Sequence, residues 1–460
     1  MVARQRLPSA TYHSPSEEPW TRDVFADQMI AVHASTHAPA DIARHVAEKQ
    51  LSRAPFFVMN VPAVLESVDV WQANMNRFRP FYSLRCNADP VLAQLLAETD
   101  GMGFEVRSQK ELAVALELVD PSKIIYAHGM WTAKSMRLAG AARVGTIVIS
   151  SEKELRDATR FAPDARILLD VAIPGYTSLD EDNCLSQPCP LMNAAALLKT
   201  ADDYLANFAG FTFNIDNTDT NGYYRAMQEI KKFWKLAEQN RLRPNTISVG
   251  GGFSYPKTKD SHFHEVVRDL QDAIDCFFPQ VEYPNLQLVA SPGNFFATAA
   301  FSLCTNVIAR REVELNDSNV FLYQTNEDVD GAFCGVRYHD QTPDFRPLHD
   351  KENPESLGVI LGCDIERGPV PQHMFRTRQL AVGDWLYWEN MGAFTMSVDD
   401  ACLSHPVYYF SGKDNWELIN KRRNSFAELE TSSDMGSDAA SDVITDDEDD
   451  GLMAFDNLFN

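Results

Sequence analysis

GTIVISSEKELRDATRFAPDARILLDVAI, residues 145–173, decides the fold. Two β-branched and aliphatic runs, GTIVISS (145–151) and RILLDVAI (166–173), flank a stretch of helical composition. Directly after the first run, Ser151-Glu-Lys-Glu154 has the spacing of a capping box. In that motif the serine hydroxyl takes an amide of the first helical turn while the glutamate reaches back. A helix that begins where one strand ends and delivers the chain to another strand is a crossover unit, and such units build parallel sheets.

The same rhythm extends from residue 80 to 300. The other runs are PFYSLRC (80–86), GFEVRS (103–108), KIIYAHG (123–129), GFTFNID (210–216), TISVGGG (246–252) and LQLVASPG (286–293), which brings the total to eight. Eight strand and helix units is the count of a (β/α)8 TIM barrel, an α/β fold. A second capping box, Ser108-Gln-Lys-Glu111, again opens a helix straight after a strand. Between Tyr224 and Leu242, Met227, Ile230, Trp234 and Ala237 fall on one helical face, a spacing that a core stripe explains.

Beyond residue 300 the long helical patterns cease. FSLCTNVIARREVEL, NVFLYQT, GAFCGVRYH, LGVILGC, QLAVGDWLYWENMGAFTMSV and PVYYF predict strands, hence an all-β C-terminal domain. The N-terminal piece before residue 80, including FFVMNV (56–61), is expected to add strands to it, making the β domain discontinuous around the barrel. The expected division is an N-terminal segment at 1–62, the barrel at 63–297, the β domain at 298–415 and an acidic disordered tail at 416–460.

With 460 residues, 45% of them hydrophobic, the chain is long enough for two domains around a large core. No signal-peptide pattern opens it and no window resembles a membrane span, so a cytoplasmic protein is expected. The eight cysteines are scattered and should be reduced, with no metal-ligand spacing among them. A net charge of −24 argues against nucleic acid and anionic membrane as partners. Eleven of the acids lie between Asn424 and Asn460, a stretch with no Lys or Arg and too few apolar residues to fold alone. Its last residues, GLMAFDNLFN, could dock as a short helix in a partner's groove or could simply fray. Thr445, in Thr-Asp-Asp-Glu, has the acidic context of a phosphorylation site.

PFYSLRCN, GFEVRSQKEL, IIYAHG, SVGGGF, SPGNFF, GCD and GDWLYWENMGAFT follow one another between about residues 55 and 410. Together they resemble ornithine decarboxylase and its relatives, the fold-type III pyridoxal phosphate decarboxylases. In that family a lysine in a PFYAVKCN context forms the Schiff base with the cofactor. Here Arg85 stands in that place. A guanidinium stays protonated and offers no free amine to an aldehyde.

Other positions implied by the resemblance are also altered. Ser291 and Asn294 replace the glutamate and arginine of an EPGR motif, which hold the pyridinium nitrogen and the phosphate. Asn214 replaces the histidine that stacks on the cofactor, and Asp216 and Asn217 follow it. Glu105 stands for a shorter carboxylate, Asp170 for an arginine, Phe394 for a phosphate-binding tyrosine, and His339, beside Asp340, for a substrate-binding aspartate. Cys363 and Asp364 of the GCD motif are retained, as are Gly250, Gly251, Gly252 and Gly293, a vestigial phosphate cradle. A glycine turn at a barrel mouth also has a purely structural reading. No bound cofactor is expected, although the ancestral one is pyridoxal phosphate.

The family's dimer uses intersubunit salt bridges whose positions correspond to Ser150, Arg367, Arg311 and a place near Asn193, while an interface aromatic corresponds to Cys402. A monomer or weak dimer is therefore expected. Members with dead sites resemble antizyme inhibitors, which implies antizyme as partner through a barrel surface near Tyr126–Val148, with Lys134, Arg137 and Arg143 supplying charge. Such residues also serve as an ordinary solvated face, and Gln109 replaces another basic contact. Three alternatives stay open: a decarboxylase of altered activity, an inactive subunit paired with an active ornithine decarboxylase, and a sensor of cationic small molecules in the emptied barrel.

Overall fold

The computed structural model describes residues 20–34, 37–50, 52–176, 188–215, 222–255, 262–315, 318–334, 343–364, 366, 369–370, 374–395 and 405–434. Asp216, Asn217, His339, Asp340, Arg367, Cys402, Thr445 and GLMAFDNLFN lie outside them.

Eight parallel strands close into a barrel. They are β4 (Phe78–Ser83), β5 (Gly103–Val106), β6 (Ile124–Tyr126), β7 (Thr146–Ile149), β8 (Arg166–Asp170), β9 (Phe208–Phe213), β10 (Thr246–Val249) and β11 (Gln287–Ala290). Each lies within or overlaps one of the eight runs. Alternation along the strands sends Tyr82, Phe104 and Ile147 outward into the main core, while Phe81, Ile125 and Val289 form a separate apolar cluster inside the barrel. That plug divides the interior into a C-terminal mouth and an N-terminal end.

The helices begin as the capping signals require, with one difference. Ser108 accepts the Glu111 amide at the start of α4 (Gln109–Leu118), and Ser151 accepts the Glu154 amide at the start of α6 (Glu152–Phe161). The two glutamates, however, accept the amides of Arg107 (2.7 Å) and Ser150 (2.8 Å), one residue before the cap. Each therefore clamps the last residues of the preceding βα turn.

The second domain is a ten-stranded sheet in the order β1-β2-β18-β3-β12-β13-β15-β16, the last strand being Phe375–Arg378, with β17 on β12 and β14 (Phe345–Pro347) on β17. As expected, β3 (Phe56–Asn60) joins it, antiparallel to β12 (Phe301–Leu315) and parallel to β18 (Val407–Gly412). Two further strands of the N-terminal segment, β1 (Trp20–Phe25) and β2 (Gln28–His33), whose positions no sequence run marked, extend the sheet. The core members β13 (Ser318–Thr325) and β15 (Glu355–Leu361) match their runs.

Three expectations are corrected. Residues 331–334 of GAFCGVRYH form a turn, because the buried Glu327 and Asp328 carboxylates bind the amides of Asp328, Val329 and Ala332 and wrap the chain around themselves. Of QLAVGDWLYWENMGAFTMSV only Trp385–Trp388 is strand (β17). A turn precedes it, in which Asp384 accepts the Ala381 amide and Gly383 takes φ +94°, while Asn390 and Phe394 follow at positive φ. Finally, a helix spans Lys413–Asp434 (α11, after α10 at Gly293–Ala297), across the boundary at which the disordered tail was expected to begin. It is anchored by buried Trp416 and Ile419, by the Trp416 indole donating to Asp23, and by a two-pronged Arg422–Asp69 pair.

Three hydrogen bonds fasten the loop after β4 to the β domain. Asn87 Nδ2 donates to Gly392 O at 2.8 Å, the Phe394 amide donates to Cys86 O at 2.8 Å, and the Tyr409 hydroxyl donates to Asp89 at 2.7 Å. Asp89 is also the N-cap of α3 (Pro90–Ala97). Burial raises its pKa to about 6, against the pull of those donors. The loop that carries Arg85 is thus held by both domains.

Candidate functional site

The C-terminal ends of the barrel strands form the mouth, the place where barrels of this type put their chemistry. Arg85 sits on the turn after β4, exposed and with no ion pair among the described residues. Glu105, at the end of β5, is only 8% exposed. Its partner is a residue the sequence reading passed over: Arg107, two positions on, whose Nε lies 3.2 Å from Glu105 Oε1. Glu105 is the main reason the Arg107 guanidinium is held above its ordinary pKa, with Asp170 and Glu111 adding to the effect. Asp170, the charge that looked inverted by comparison with the family, therefore faces a cation of this chain. The available signal was GFEVRS itself, in which an arginine two residues after an inward carboxylate shares its direction on the strand.

Two of the four amides of the predicted phosphate cradle are committed elsewhere. The Gly250 amide donates to Phe213 O at 2.8 Å and the Gly293 amide to Ser291 O at 3.0 Å. Asn214 lies over the first of these turns, since a Cβ on Gly250 would stand 2.7 Å from its Oδ1. A Cβ on Gly293 would stand 2.8 Å from the Cys86 Cβ, so this glycine permits the α10 turn to pack on the β4 loop. A Cβ on Gly251 would make ordinary contact with Ser291 O at 3.5 Å, and Gly252 takes φ +92°.

Ser291 is buried, and its hydroxyl has no hydrogen-bond partner among the described residues. Asn294 accepts the Cys86 thiol at 3.3 Å. Phe394, at φ +58°, turns its carbonyl toward the Cys334 thiol. Among the described residues of the eight βα loops there is no lysine; Lys257 and Lys259 lie outside them.

Cys363 and Asp364 follow β15 in the β domain. The Cys363 thiol donates to Asp328 at 3.4 Å, and the Asp364 amide donates to the same carboxylate at 3.0 Å. Burial first, then the neighbouring Asp328 and Glu327, raise the thiol's pKa and keep it protonated. Glu327 is itself paired with His405.

Lys134 and Arg137 lie on the exposed side of α5 (Ala133–Ala141), and exposed Arg143 follows it. The Arg137 guanidinium stands 4.7 Å from the Phe161 ring centre, and Arg160 stands over the same ring at 5.0 Å.

The model of the pyridoxal-dependent decarboxylase pyridoxal-binding domain matches residues 62–298, more than half of the chain. The chain belongs to the ornithine decarboxylase family of pyridoxal-dependent decarboxylases. It is 27% identical to an ornithine decarboxylase of Caenorhabditis elegans, over 86% of this chain and 97% of that protein. It is 28% identical to antizyme inhibitor 2 of Xenopus laevis, over 82% and 86% respectively. Among solved structures, the arginine decarboxylase of Paramecium bursaria Chlorella virus, bound to agmatine, is similar with a TM-score of 0.71 at 25% identity, covering 80% of this chain and all of that one. Among the described residues no helix is long and apolar enough to cross a membrane.

Proposed function

We propose that this chain is a non-catalytic member of the ornithine decarboxylase family that regulates polyamine metabolism by binding antizyme. The observation that carries the reading is the mouth of the barrel. Arg85 stands at the Schiff-base position, no described βα loop offers a lysine, and Arg107 with Glu105 makes an internal ion pair where an active member must hold its cofactor. Pyridoxal phosphate does not fit these residues. Two of the four cradle amides are already bonded within the chain, and the buried Ser291 hydroxyl supplies no carboxylate for a pyridinium nitrogen.

Antizyme inhibitors of Xenopus laevis and Rattus norvegicus, the latter 26% identical over 77% of this chain, are among its relatives. The exposed cations of the α5 region, Lys134, Arg137 and Arg143, suit an acidic partner face. The retained Cys363 and Asp364 favour one other reading, a decarboxylase of altered activity, since a protonated thiol beside a carboxylate is what a proton donor needs.

One experiment separates the two. The protein is incubated with pyridoxal phosphate, reduced with borohydride and searched by mass spectrometry for a pyridoxyl-lysine, while a parallel sample is tested for capture by immobilised antizyme. The expected result is capture without a trapped lysine, with capture weakened about tenfold or more by Arg137→Glu. A trapped lysine together with ornithine turnover would overturn the reading, and so would failure of antizyme to bind.

A further inference from the structure

Below the apolar plug of Phe81, Ile125 and Val289, the N-terminal end of the barrel opens into a cavity of about 570 Å³. Arg79, Arg166, Thr146, Thr246 and Gln287 bring polar groups to its wall. These residues begin their strands or stand one place inside them, so the feature is the first inward layer of the barrel, at the opposite end from the mouth.

The charge arrangement there is unbalanced. Arg166 is held only by neutral acceptors, with Nη2 2.6 Å from Thr246 Oγ1 and 3.0 Å from Asn245 Oδ1. Arg79 donates Nε to the Gly101 carbonyl at 3.1 Å and lies 5.0 Å from the Phe81 ring centre. Neither guanidinium forms an ion pair among the described residues. Partial burial lowers the pKa of both, and Arg79 lowers that of Arg166 further by direct repulsion. Among the described residues Asp100 is the acidic group that offsets Arg79, and Arg77 nearby is neutralised by Asp275 at 2.8 Å.

Two fork-shaped cations turned toward one partly enclosed space, with their planar donors only partly used, cost energy unless an anion joins them. The geometry is also fixed. Gly210 on β9 lets the strands close at this level, because a Cβ there would stand 1.9 Å from Thr246 O, and the Thr246 hydroxyl then orients Arg166. The flanking hydroxyls of Thr146 and Thr246 and the Gln287 amide can complete the coordination of an oxyanion, and Phe81 and Leu288 offer an apolar wall to the rest of a small molecule.

We propose that the N-terminal end of the barrel binds a small soluble oxyanion, a phosphate or carboxylate group, between Arg79 and Arg166. This site is independent of the mouth and of antizyme binding. Occupation neutralises the pair and tightens the end of the barrel that the plug separates from the ancestral catalytic centre.

The native protein provides the first test. Arginines are modified with phenylglyoxal and mapped by mass spectrometry in the presence of inorganic phosphate, citrate, or chloride at equal ionic strength. Phosphate, citrate or both should protect Arg79 and Arg166 several-fold and leave exposed Arg143 unprotected; the better protector identifies the preferred oxyanion. Equal protection by chloride, or none from either oxyanion, would overturn the proposal. In a titration followed by thermal stabilisation, Arg166→Gln should weaken oxyanion binding about tenfold or more, while Arg311→Gln, exposed on β12 of the other domain, leaves it intact. Full-strength binding by a folded Arg166→Gln protein would equally overturn it, and the labelling result stands even if that variant does not fold.

Discussion

Arg107 shows how a buried carboxylate at the barrel mouth is balanced from within the chain. Glu105 is buried, and a buried carboxylate without a cation would be costly. Arg107, 3.2 Å away and 41% exposed at its side chain, supplies the cation from within the same strand-end turn. Arg107→Ala should lower stability by about 1–3 kcal/mol in urea unfolding, because it strands Glu105. Adding Glu105→Gln should recover part of that loss, and strictly additive losses in the double variant would show that the pair is not coupled. A second residue makes a pH prediction. His33 is 3% exposed, its Nδ1 has no hydrogen-bond partner, and His37 stands 4.8 Å away with His45 also near. Burial foremost, then those two histidines, lower its pKa from 6.5 to about 4. The unfolded chain therefore takes up this proton before the folded one. The stability contribution is intact above pH 6.5 and is lost as pH falls toward 4, by up to about 3 kcal/mol. Melting temperatures measured across that window should fall for the wild type and fall less for His33→Gln; parallel slopes would remove His33 from the account.

At the scale of elements, the contact between α5 and α6 gives a substitution whose sign departs from the usual one. Gly140 is the eighth residue of α5, where alanine would ordinarily gain about 1 kcal/mol in helix propensity. Here a Cβ would stand 1.9 Å from the Phe161 carbonyl oxygen, at the end of α6. The clash is with backbone, so the helices must separate. Gly140→Ala should destabilise the protein by about 2 kcal/mol or more, and a raised melting temperature would show that α5 has room to move. This contact also explains what could be read from sequence. The barrel strands were legible because Ile, Val and Phe runs recur between capping boxes, and those signals are local. Strands β1 and β2 were not, because WTRDVF mixes charge with apolar residues, and the hairpin it forms with β2 joins the sheet only through β18, far along the chain. The turn at 331–334 was misread as strand because its shape comes from Glu327 and Asp328 binding backbone amides, which no hydrophobic pattern reports. In the candidate site, substitutions at single motif positions were visible, whereas Arg107 and the bonded glycine amides needed the register of neighbouring strands.

For the whole molecule the open quantity is its association. Family dimers share active sites between subunits, and under the proposed non-catalytic function this chain has no need of that shared site. Ser150, which the family resemblance places at an intersubunit salt bridge, is turned inward. Its amide and its hydroxyl, at 2.8 and 3.2 Å, both donate to Glu154. Arg311, at another of those positions, is exposed on β12, and Asn193 is exposed on α7 (Leu191–Asp203) with no charge to offer. A net charge of −24 adds a general repulsion between copies, which salt screens. The chain should therefore sediment as a monomer at micromolar concentration, and raising the salt should promote association only weakly. Ser150→Asp should not restore a dimer, because the new carboxylate would face Glu154 across the contact the serine now makes and would loosen the start of α6 instead. A wild-type dimer persisting at submicromolar concentration would mean that the changes at Ser150, Arg311 and Asn193 do not weaken the subunit interface. The mouth of the barrel would then have to be examined with a partner's residues in place.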